Sequence, residues 1–285
     1  MIFNPDPIAF YIPFFNRPIA WYGIFFAVGC MLSLFVLQKL YKQFLLNDFP
    51  AFKDKEKKEI LAFHKFSYEK IFLYVMVGAI VGARLFHVFF YDWAYFKHRL
   101  WEIPMTWEGG LASHGAVIGI VLSILLFCRI YKDRLYGLSS LFFFDLIAVS
   151  IGFASFFIRA GNFMNQEIMG TETTLPWAVR FGNPAGATPF VPRHPVQLYE
   201  AFFYLISAFV LIALFRKLKN KGRGFFSGLF LINMFTFRAI AEFFKLEQSL
   251  WHVPFLNMGA ILSLPIVLLG VFFVIYSKRL RYQSM

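Results

Sequence analysis

The chain has 285 residues, of which 59% are hydrophobic, 21% aromatic and only 15% charged. A water-soluble fold with so few charged residues could not cover its own surface, so this composition excludes an ordinary soluble globular protein. The formal net charge is +12, but the basic residues lie in separate clusters between apolar segments. That pattern is typical of the cytoplasmic loops of a polytopic membrane protein and does not favour a nucleic-acid partner.

Seven apolar segments are long enough, at about 20 residues each, to cross the hydrocarbon core of a bilayer. The sequence therefore predicts an all-α transmembrane bundle that forms one integral membrane domain over residues 1–285. The predicted spans are approximately residues 18–38, 69–92, 110–131, 137–160, 195–215, 224–244 and 256–277.

Two of these predicted spans contain polar residues that a lipid environment would disfavour. Arg84 and His87 lie in the second span, and Asp145 lies in the fourth. Because an unpaired polar group inside a bilayer is costly, we expect these side chains to have partners within the bundle.

The basic residues of the connecting segments are distributed unevenly, with 18 on one side of the membrane and six on the other. The positive-inside rule then predicts an outer N-terminus and a cytoplasmic C-terminus, which agrees with an odd number of spans. Residues 43–68 form a charged cytoplasmic segment, either a solvated spacer or a short surface helix over residues 54–64. Residues 161–193 form an outer loop that is rich in Gly, Pro, Thr and Asn, and such loops often carry function.

A dense polar stretch, Ile158–Gly170, follows the fourth span. Near the end of a span, Arg159 either snorkels to the interface or binds a lipid phosphate through its paired donors. The polar residues that follow at once, Asn162, Asn165 and Glu167, favour phosphate binding.

Arg238 and Glu242 lie four residues apart in the sixth span, so they share one helical face. They either neutralise each other as an intramembrane ion pair, or the carboxylate orients the arginine toward an anion.

His114 enters the third span from the outer side, with Ser113 before it and Gly115 after it. It is either a hydrogen-bonded structural residue or a proton acceptor, since the intrinsic pKa of histidine lies near neutrality. The adjacent Ser113 does not indicate a hydrolase, because neighbouring residues point in different directions on a helix.

The fifth span opens with His194, Gln197 and Glu200, whose spacing of three residues places them on one helical face. Tyr22 lies at the outer end of the first span, as an interfacial aromatic residue or as part of a site. Several spans thus contribute polar groups near their outer ends, which predicts a site that opens to the outer leaflet. Two or three arginines in a low-dielectric environment favour an anion, and the abundant anion there is a phospholipid head group.

These motifs, taken together, resemble those of the bacterial prolipoprotein diacylglyceryl transferases, which are integral inner-membrane enzymes of seven spans. Each fragment is short, so the resemblance depends on their order along almost the whole chain. The motifs are Trp21–Gly23, Gly82–Arg84, Gly109–Gly115, Arg159–Gly170, His194–Glu200, Arg238–Glu242 and Met258–Ser263. Within them, Met169 stands where the family frequently has tryptophan, and Lys245 follows the sixth motif where arginine is common.

The resemblance implies transfer of the diacylglyceryl group of phosphatidylglycerol to the lipobox cysteine of a preprolipoprotein, with formation of a thioether and release of glycerol 1-phosphate. It implies that Arg159 and Arg238 bind and polarise the lipid phosphate and that Glu242 orients Arg238. His114 is the candidate base for the cysteine thiol. The candidate substrate-binding residues are Arg159, Asn162, Glu167, Gly170, Tyr22, Arg84, Glu242 and His194.

No cofactor or metal is expected, because the sequence contains no phosphate-cradling glycine loop and no cluster of metal ligands. A different class of function, a transporter or lipid-flipping protein for an anionic substrate, would use the same arginines. Transport favours a polar path that reaches the cytoplasmic side, whereas the intramembrane charges lie mostly toward the outer ends of the spans.

Overall fold

The computed structural model describes residues 2–12, 17–106, 110–218, 223–246 and 258–279, most of which are helical. Five short strands accompany the helices. The helices are α1 (Trp21–Asn47), α2 (Lys57–Phe90), α3 (Trp93–Phe96), α4 (Ser113–Ile130), α5 (Ser140–Ser150), α6 (Gly152–Met164), α7 (Val196–Lys217), α8 (Phe225–Glu242) and α9 (Met258–Ser277). The strands are β1 (Ile2–Phe3), β2 (Ile8–Ile12), β3 (Arg17–Ala20), β4 (Val179–Phe181) and β5 (Pro192–Arg193).

Five helices, α1, α2, α7, α8 and α9, are long and apolar enough to cross a membrane. The pair α5 and α6 would form a sixth span if counted together, and α4 contributes only a shorter apolar helix, His114–Ile130. Helix α4 begins only at Ser113, because Gly110, the first residue of the predicted third span, has a positive φ of 67° that a right-handed helix does not allow. The described residues therefore confirm a helical membrane protein. Judged by the length and apolar composition of its helices, it has five or six spans, so the predicted number of seven is not confirmed.

The predicted fourth span is bent by 45° where α5 meets α6. The hydroxyl of Ser150 donates to the Ile147 carbonyl and that of Ser155 to the Ile151 carbonyl. Serine hydroxyls that bond back to the preceding turn bend helices, and Gly152 at the joint packs closely against Ala208 of α7. The break is thus a local property of a serine- and glycine-containing joint.

Most residues of the charged segment 43–68 belong to the helices on either side of it. Because α1 ends at Asn47 and α2 begins at Lys57, the residues expected to form a short surface helix over 54–64 are mostly the first turns of α2. In the connection itself, the Phe52 ring is buried and contacts the rings of Phe63 and Tyr136. These aromatic contacts fix the turn between the two helices.

The chain divides into two compact units. The first unit comprises Met1–Leu40 and Asp145–Ser284, and the second comprises Tyr41–Phe144. Within the second unit α2 and α4 approach closely through glycines, since a Cβ added at Gly82 would overlap the carbonyl oxygen of Gly115. Small residues at a helix interface allow this approach, which is a common way for membrane helices to associate.

The strands belong to the first unit, and β4 and β5 lie within the loop 161–193. Strand β4 pairs in parallel with β1 and antiparallel with β5, while β2 and β3 form a separate antiparallel pair. Met169, Val179 and Phe181 are buried together, with Phe3 and Phe163 packed against them. Met169 therefore fills an apolar core, which accounts for the tolerance of methionine in the polar stretch Ile158–Gly170, which we call the signature stretch.

Asp145 has the partners that the sequence leads us to expect. Its carboxylate accepts hydrogen bonds from the backbone N–H groups of Gly224 and Ser227 at 2.8 and 2.7 Å, and from the Ser227 hydroxyl at 2.7 Å. The N–H groups in the first turn of a helix lack intrahelical acceptors. Asp145 of α5 therefore caps α8, which explains a buried carboxylate in an apolar helix.

Candidate active site

The signature stretch leaves helix α6 at Met164 and continues through a strained backbone. Gln166 and Ile168 have positive φ values of 53° and 55°, which are unfavourable for residues other than glycine. The Gln166 side chain holds this conformation by accepting a hydrogen bond from the Asn183 N–H at 2.7 Å and donating to the Asn4 side chain at 3.3 Å. Strain of this kind persists only where neighbouring contacts impose it, and it is frequent at functional sites.

Arg159 is positioned in the last turns of α6 by one hydrogen bond and one ion pair. Its Nη1 donates to Asn162 Oδ1 at 3.1 Å, and its Nε forms an ion pair with Glu200 Oε2 at 3.0 Å. The Arg159 side chain is 12% exposed, so the arginine is held in place within the protein and does not extend freely toward the interface.

Glu167 is fixed by the two asparagines of the signature stretch. Asn162 Nδ2 donates to Glu167 Oε2 at 2.9 Å, and Asn165 Nδ2 donates to Glu167 Oε1 at 3.2 Å. Gln197 of α7 also donates to the Glu167 carbonyl oxygen. A continuous chain of hydrogen bonds therefore leads from Glu167 through Asn162 to Arg159.

Two glycines of the signature stretch occupy positions where a side chain would not fit. At Gly161 a Cβ would lie 2.7 Å from the Tyr22 ring, and at Gly170 it would overlap the carbonyl oxygen of His194. The charges of Arg159 and Glu167 both act on the Tyr22 hydroxyl. The structure therefore brings Tyr22 and His194 to the signature stretch, as the sequence predicts.

A lysine joins the two carboxylates of α7 and α8. Lys245 Nζ lies 3.1 Å from Glu200 Oε1 and 2.7 Å from Glu242 Oε1. Arg238 lies one helical turn before Glu242, is partly buried, and acts electrostatically on the Tyr204 hydroxyl. We call the set formed by Arg159, Asn162, Glu167, Glu200, Glu242 and Lys245 the arginine–carboxylate cluster.

His194 lies beside this cluster among aromatic side chains. Its Nδ1 lies 3.2 Å from the Tyr199 hydroxyl, which also accepts a hydrogen bond from Trp177 Nε1 at 2.7 Å. The imidazole ring contacts the Phe244 ring at a centroid distance of 5.2 Å. These contacts fix the start of α7 at Val196, so His194 precedes the helix and does not share its face as predicted, whereas Gln197 and Glu200 are both buried.

Arg84 belongs to the second unit, where it holds the connection between α2 and α4. Its Nε donates to the Ile103 carbonyl and its Nη2 to the Glu102 carbonyl, both at 2.7 Å, and its Nη1 reaches the Gly110 carbonyl at 3.4 Å. The guanidinium also lies over the Phe96 ring. The expected partners of this buried arginine are thus backbone carbonyls.

His114 also belongs to the second unit. It lies at the start of α4, is exposed, and contacts the Phe86 ring at a centroid distance of 6.1 Å. The Ala112 N–H donates to the Ala83 carbonyl at 3.0 Å, which joins this helix start to α2. Gly109 of the same motif lies outside the described residues.

Three residues of the site region were not among the predicted site residues: Gln197, Glu200 and Lys245. The spacing of Gln197 and Glu200 three residues apart on one helical face was a signal for both. For Lys245 the available signal was its position three residues after Glu242, which permits a pair on one face of a helix. Across the described ranges, no group of three or more His, Cys, Asp and Glu residues is arranged to hold a metal ion.

Comparison with known proteins decides the family. The family model described as prolipoprotein diacylglyceryl transferase matches residues 7–276. The chain belongs to the prolipoprotein diacylglyceryl transferase family.

Relatives that match along nearly their whole length support this assignment, and each is named phosphatidylglycerol–prolipoprotein diacylglyceryl transferase. The relative from Chlamydia pneumoniae is 38% identical, over 93% of this chain and 92% of its own length. The relative from Tolumonas auensis is 36% identical, over 98% of both chains, and that from Porphyromonas gingivalis is 38% identical, over 96% of this chain and 93% of its own. As a member of the prolipoprotein diacylglyceryl transferase family, the protein is an enzyme, and the transporter alternative loses its basis.

Proposed function

We propose that this enzyme transfers the diacylglyceryl group of phosphatidylglycerol to the lipobox cysteine of a preprolipoprotein. The cysteine sulfur forms a bond to the glyceryl carbon, and the bond from that carbon to the phosphate ester oxygen breaks. The electron pair of the broken bond stays with the leaving glycerol 1-phosphate. The observation that carries this proposal is a partly buried arginine, Arg159, fixed by Asn162 and Glu200 and accompanied by Arg238.

The proposed role of Arg159 and Arg238 is to bind and polarise the lipid phosphate. Negative charge accumulates on the phosphate as the carbon–oxygen bond breaks, so positive donors that are already in place lower the barrier. A guanidinium has five N–H donors, and Arg159 uses one of them, on Nη1, for Asn162, while its Nε lies in an ion pair with Glu200. Other donors of the same group can therefore bind phosphate oxygens.

The other residues of the first unit shape and complete this lipid site in our proposal. Asn162 and Glu167 hold Arg159 through their hydrogen-bond chain, and Gly170 admits the close approach of His194. We assign Tyr22 and His194 to the lining of the lipid site, and Glu242 to the orientation of Arg238.

A thiol is a weak nucleophile until it loses its proton, so the reaction requires a base or an electropositive environment. We propose His114 as the base. Arg84 is predicted to bind substrate, and that direct contact stays a prediction. Its hydrogen bonds support a further role, because they hold the connection that leads to His114.

We further propose that the chain is a single seven-span domain of the bacterial inner membrane, with the N-terminus outside, the C-terminus in the cytoplasm and the site toward the outer leaflet. The support is the excess of basic residues on one side of the spans. In this arrangement, α4 and the bent pair of α5 and α6 each cross the membrane once.

The test of the proposed function is an assay with purified protein, phosphatidylglycerol and a lipobox peptide, followed by mass spectrometry. We expect a peptide that carries a diacylglyceryl group in thioether linkage. A matched peptide with serine in place of the cysteine should stay unmodified. Absence of product from a folded, monodisperse protein would contradict the proposal, and so would equal modification of the serine peptide.

A further inference from the structure

Glu200 occupies the centre of the arginine–carboxylate cluster. Its side chain is 0% exposed and is paired on two sides, with Arg159 Nε at Oε2 and with Lys245 Nζ at Oε1. The Tyr204 hydroxyl donates to the same carboxylate at 3.3 Å. One buried carboxylate thus joins a cation of the signature stretch to a cation that follows α8.

The buried carboxylate of Glu200 requires both of its cationic partners, Arg159 and Lys245. A carboxylate in a low-dielectric interior is strongly unfavourable without cationic partners, so Glu200 holds Arg159 and Lys245 at fixed positions beside it. Glu242 accepts a second hydrogen bond from Lys245, at 2.7 Å, and so fixes the ammonium from another side.

Lys245 is also tied to the signature stretch by its backbone. Gly170 and Lys245 form an antiparallel bridge, and the Leu246 N–H donates to the Met169 carbonyl at 2.9 Å. An ammonium has three N–H donors, and among the described residues two of them go to Glu200 and Glu242. The third can bind an oxygen of an anionic ligand.

We propose that Lys245 is a further phosphate-binding residue of the lipid site and that Glu200 is a positioning residue that acts through Arg159 and Lys245. This inference rests on the proposed function, because it names additional residues for the same phosphate. It assigns different roles to the two side chains, since Lys245 touches the ligand and Glu200 does not.

The two roles predict different kinetic effects. Glu200→Gln keeps the shape of the side chain but removes the ion pairs that orient Arg159, so kcat should fall roughly 10- to 100-fold. The KM for phosphatidylglycerol should not rise, because the variant removes a negative charge from an anion site. In Lys245→Gln a charge-assisted hydrogen bond to the ligand is lost, so this KM should rise about tenfold, and Lys245→Arg should restore it.

Asp145 offers a matched control for the loss of a buried carboxylate. It lies in the same unit, is 4% exposed, and caps α8 away from the cluster. Asp145→Asn should lower the thermal unfolding temperature, with kcat and KM close to those of the unchanged protein. A purely structural role of Glu200 would give Glu200→Gln the same behaviour.

The experiment measures kcat and KM for phosphatidylglycerol in mixed micelles, for folded protein of each variant. The inference holds if Glu200→Gln lowers kcat without raising KM and Lys245→Gln raises KM with rescue by arginine. It is overturned if Glu200→Gln behaves as Asp145→Asn does, or if Lys245→Gln keeps the original KM. If Glu200→Gln does not fold, Glu200→Asp replaces it in the same comparison, together with Lys245→Gln and Lys245→Arg. If the protein without any substitution shows no activity, the proposed function itself is refuted, which is a separate outcome.

Discussion

Arg159 combines the two properties that an anion-binding arginine requires, because it is partly buried and its orientation is fixed. Its ion pair with Glu200 and its hydrogen bond to Asn162 leave further donors for a ligand. We expect Arg159→Ala to lower turnover by at least about 100-fold, as the loss of one donor to a developing anion typically does. The measurement is product formation per folded molecule, with folding checked by gel filtration and thermal unfolding.

An Arg159→Lys variant provides the control for charge alone. It keeps the positive charge but lacks the planar donors that reach both Asn162 and Glu200, so it should recover only part of the activity. Activity of Arg159→Ala within a few fold of the unchanged protein would contradict the role of this residue.

His114 is the second residue whose role can be tested singly. If it accepts the thiol proton, His114→Gln should lower kcat roughly 100-fold, because a glutamine side chain cannot take up a proton. The measurement is kcat for both proteins with the lipobox peptide in excess. An unchanged kcat in the variant would assign proton transfer to another group and leave the role of the arginines intact.

At the residue scale, the sequence predicts local groups better than distant pairs. Arg159, Asn162 and Glu167 lie within nine positions, and their hydrogen-bond chain follows from that proximity. The pair between Glu200 and Lys245 joins residues 45 positions apart, so no local pattern contains it. The pair of Glu242 and Lys245 is local, at three positions apart, but the partner predicted for Glu242 from the sequence was Arg238 alone.

At the scale of elements, the close packing of α2 and α4 depends on glycines that local patterns do not mark as contacts. A Cβ at Gly82 would overlap the backbone carbonyl of Gly115, and a carbonyl cannot turn away as a flexible side chain can. Gly82→Ala should therefore force the two helices apart and lower the thermal unfolding temperature. It should also reduce activity, because α4 begins with the motif that carries His114.

Gly23→Ala is the control for this substitution. Gly23 lies within α1, and a Cβ there would have no neighbour within 4 Å. Alanine has a higher helix propensity than glycine, so this variant should unfold at the same or a higher temperature. Equal unfolding temperatures for the two variants would show that the interface between α2 and α4 does not require glycine.

The predicted elements agree with the structure in position but differ at their ends. Each predicted apolar segment corresponds to a helix or to the bent pair of α5 and α6. The helices α1 and α2 extend into the charged segment 43–68, because lysine and glutamate continue a helix readily in water. The strand pairing of β1 with β4 was not predicted, since it joins residues 2–3 to residues 180–181 across most of the chain.

At the scale of the whole molecule, the proposed orientation of the chain in the membrane rests on the distribution of charge and can be measured directly. The excess of basic residues on one side predicts a cytoplasmic C-terminus. A C-terminal epitope tag should resist protease added to intact spheroplasts and should be digested in inside-out vesicles. The opposite pattern would reverse the proposed topology and place the site on the cytoplasmic side.

Composition and motif order together predict the class of protein and the family, and the match over residues 7–276 confirms both. The central remaining proposal is that a phosphate held by the arginine–carboxylate cluster leaves as the lipid group moves to sulfur. This proposal requires that the thioether-linked lipid peptide and glycerol 1-phosphate form in equal amounts, because one carbon–oxygen bond breaks for each carbon–sulfur bond that forms.

The most direct measurement therefore quantifies both products in one reaction of the purified protein with phosphatidylglycerol and a lipobox peptide. We predict equal molar amounts of thioether-linked lipid peptide and of glycerol 1-phosphate throughout the time course, with both lost together in Arg159→Ala. Lipid peptide without glycerol 1-phosphate, or glycerol 1-phosphate without lipid peptide, would contradict the account.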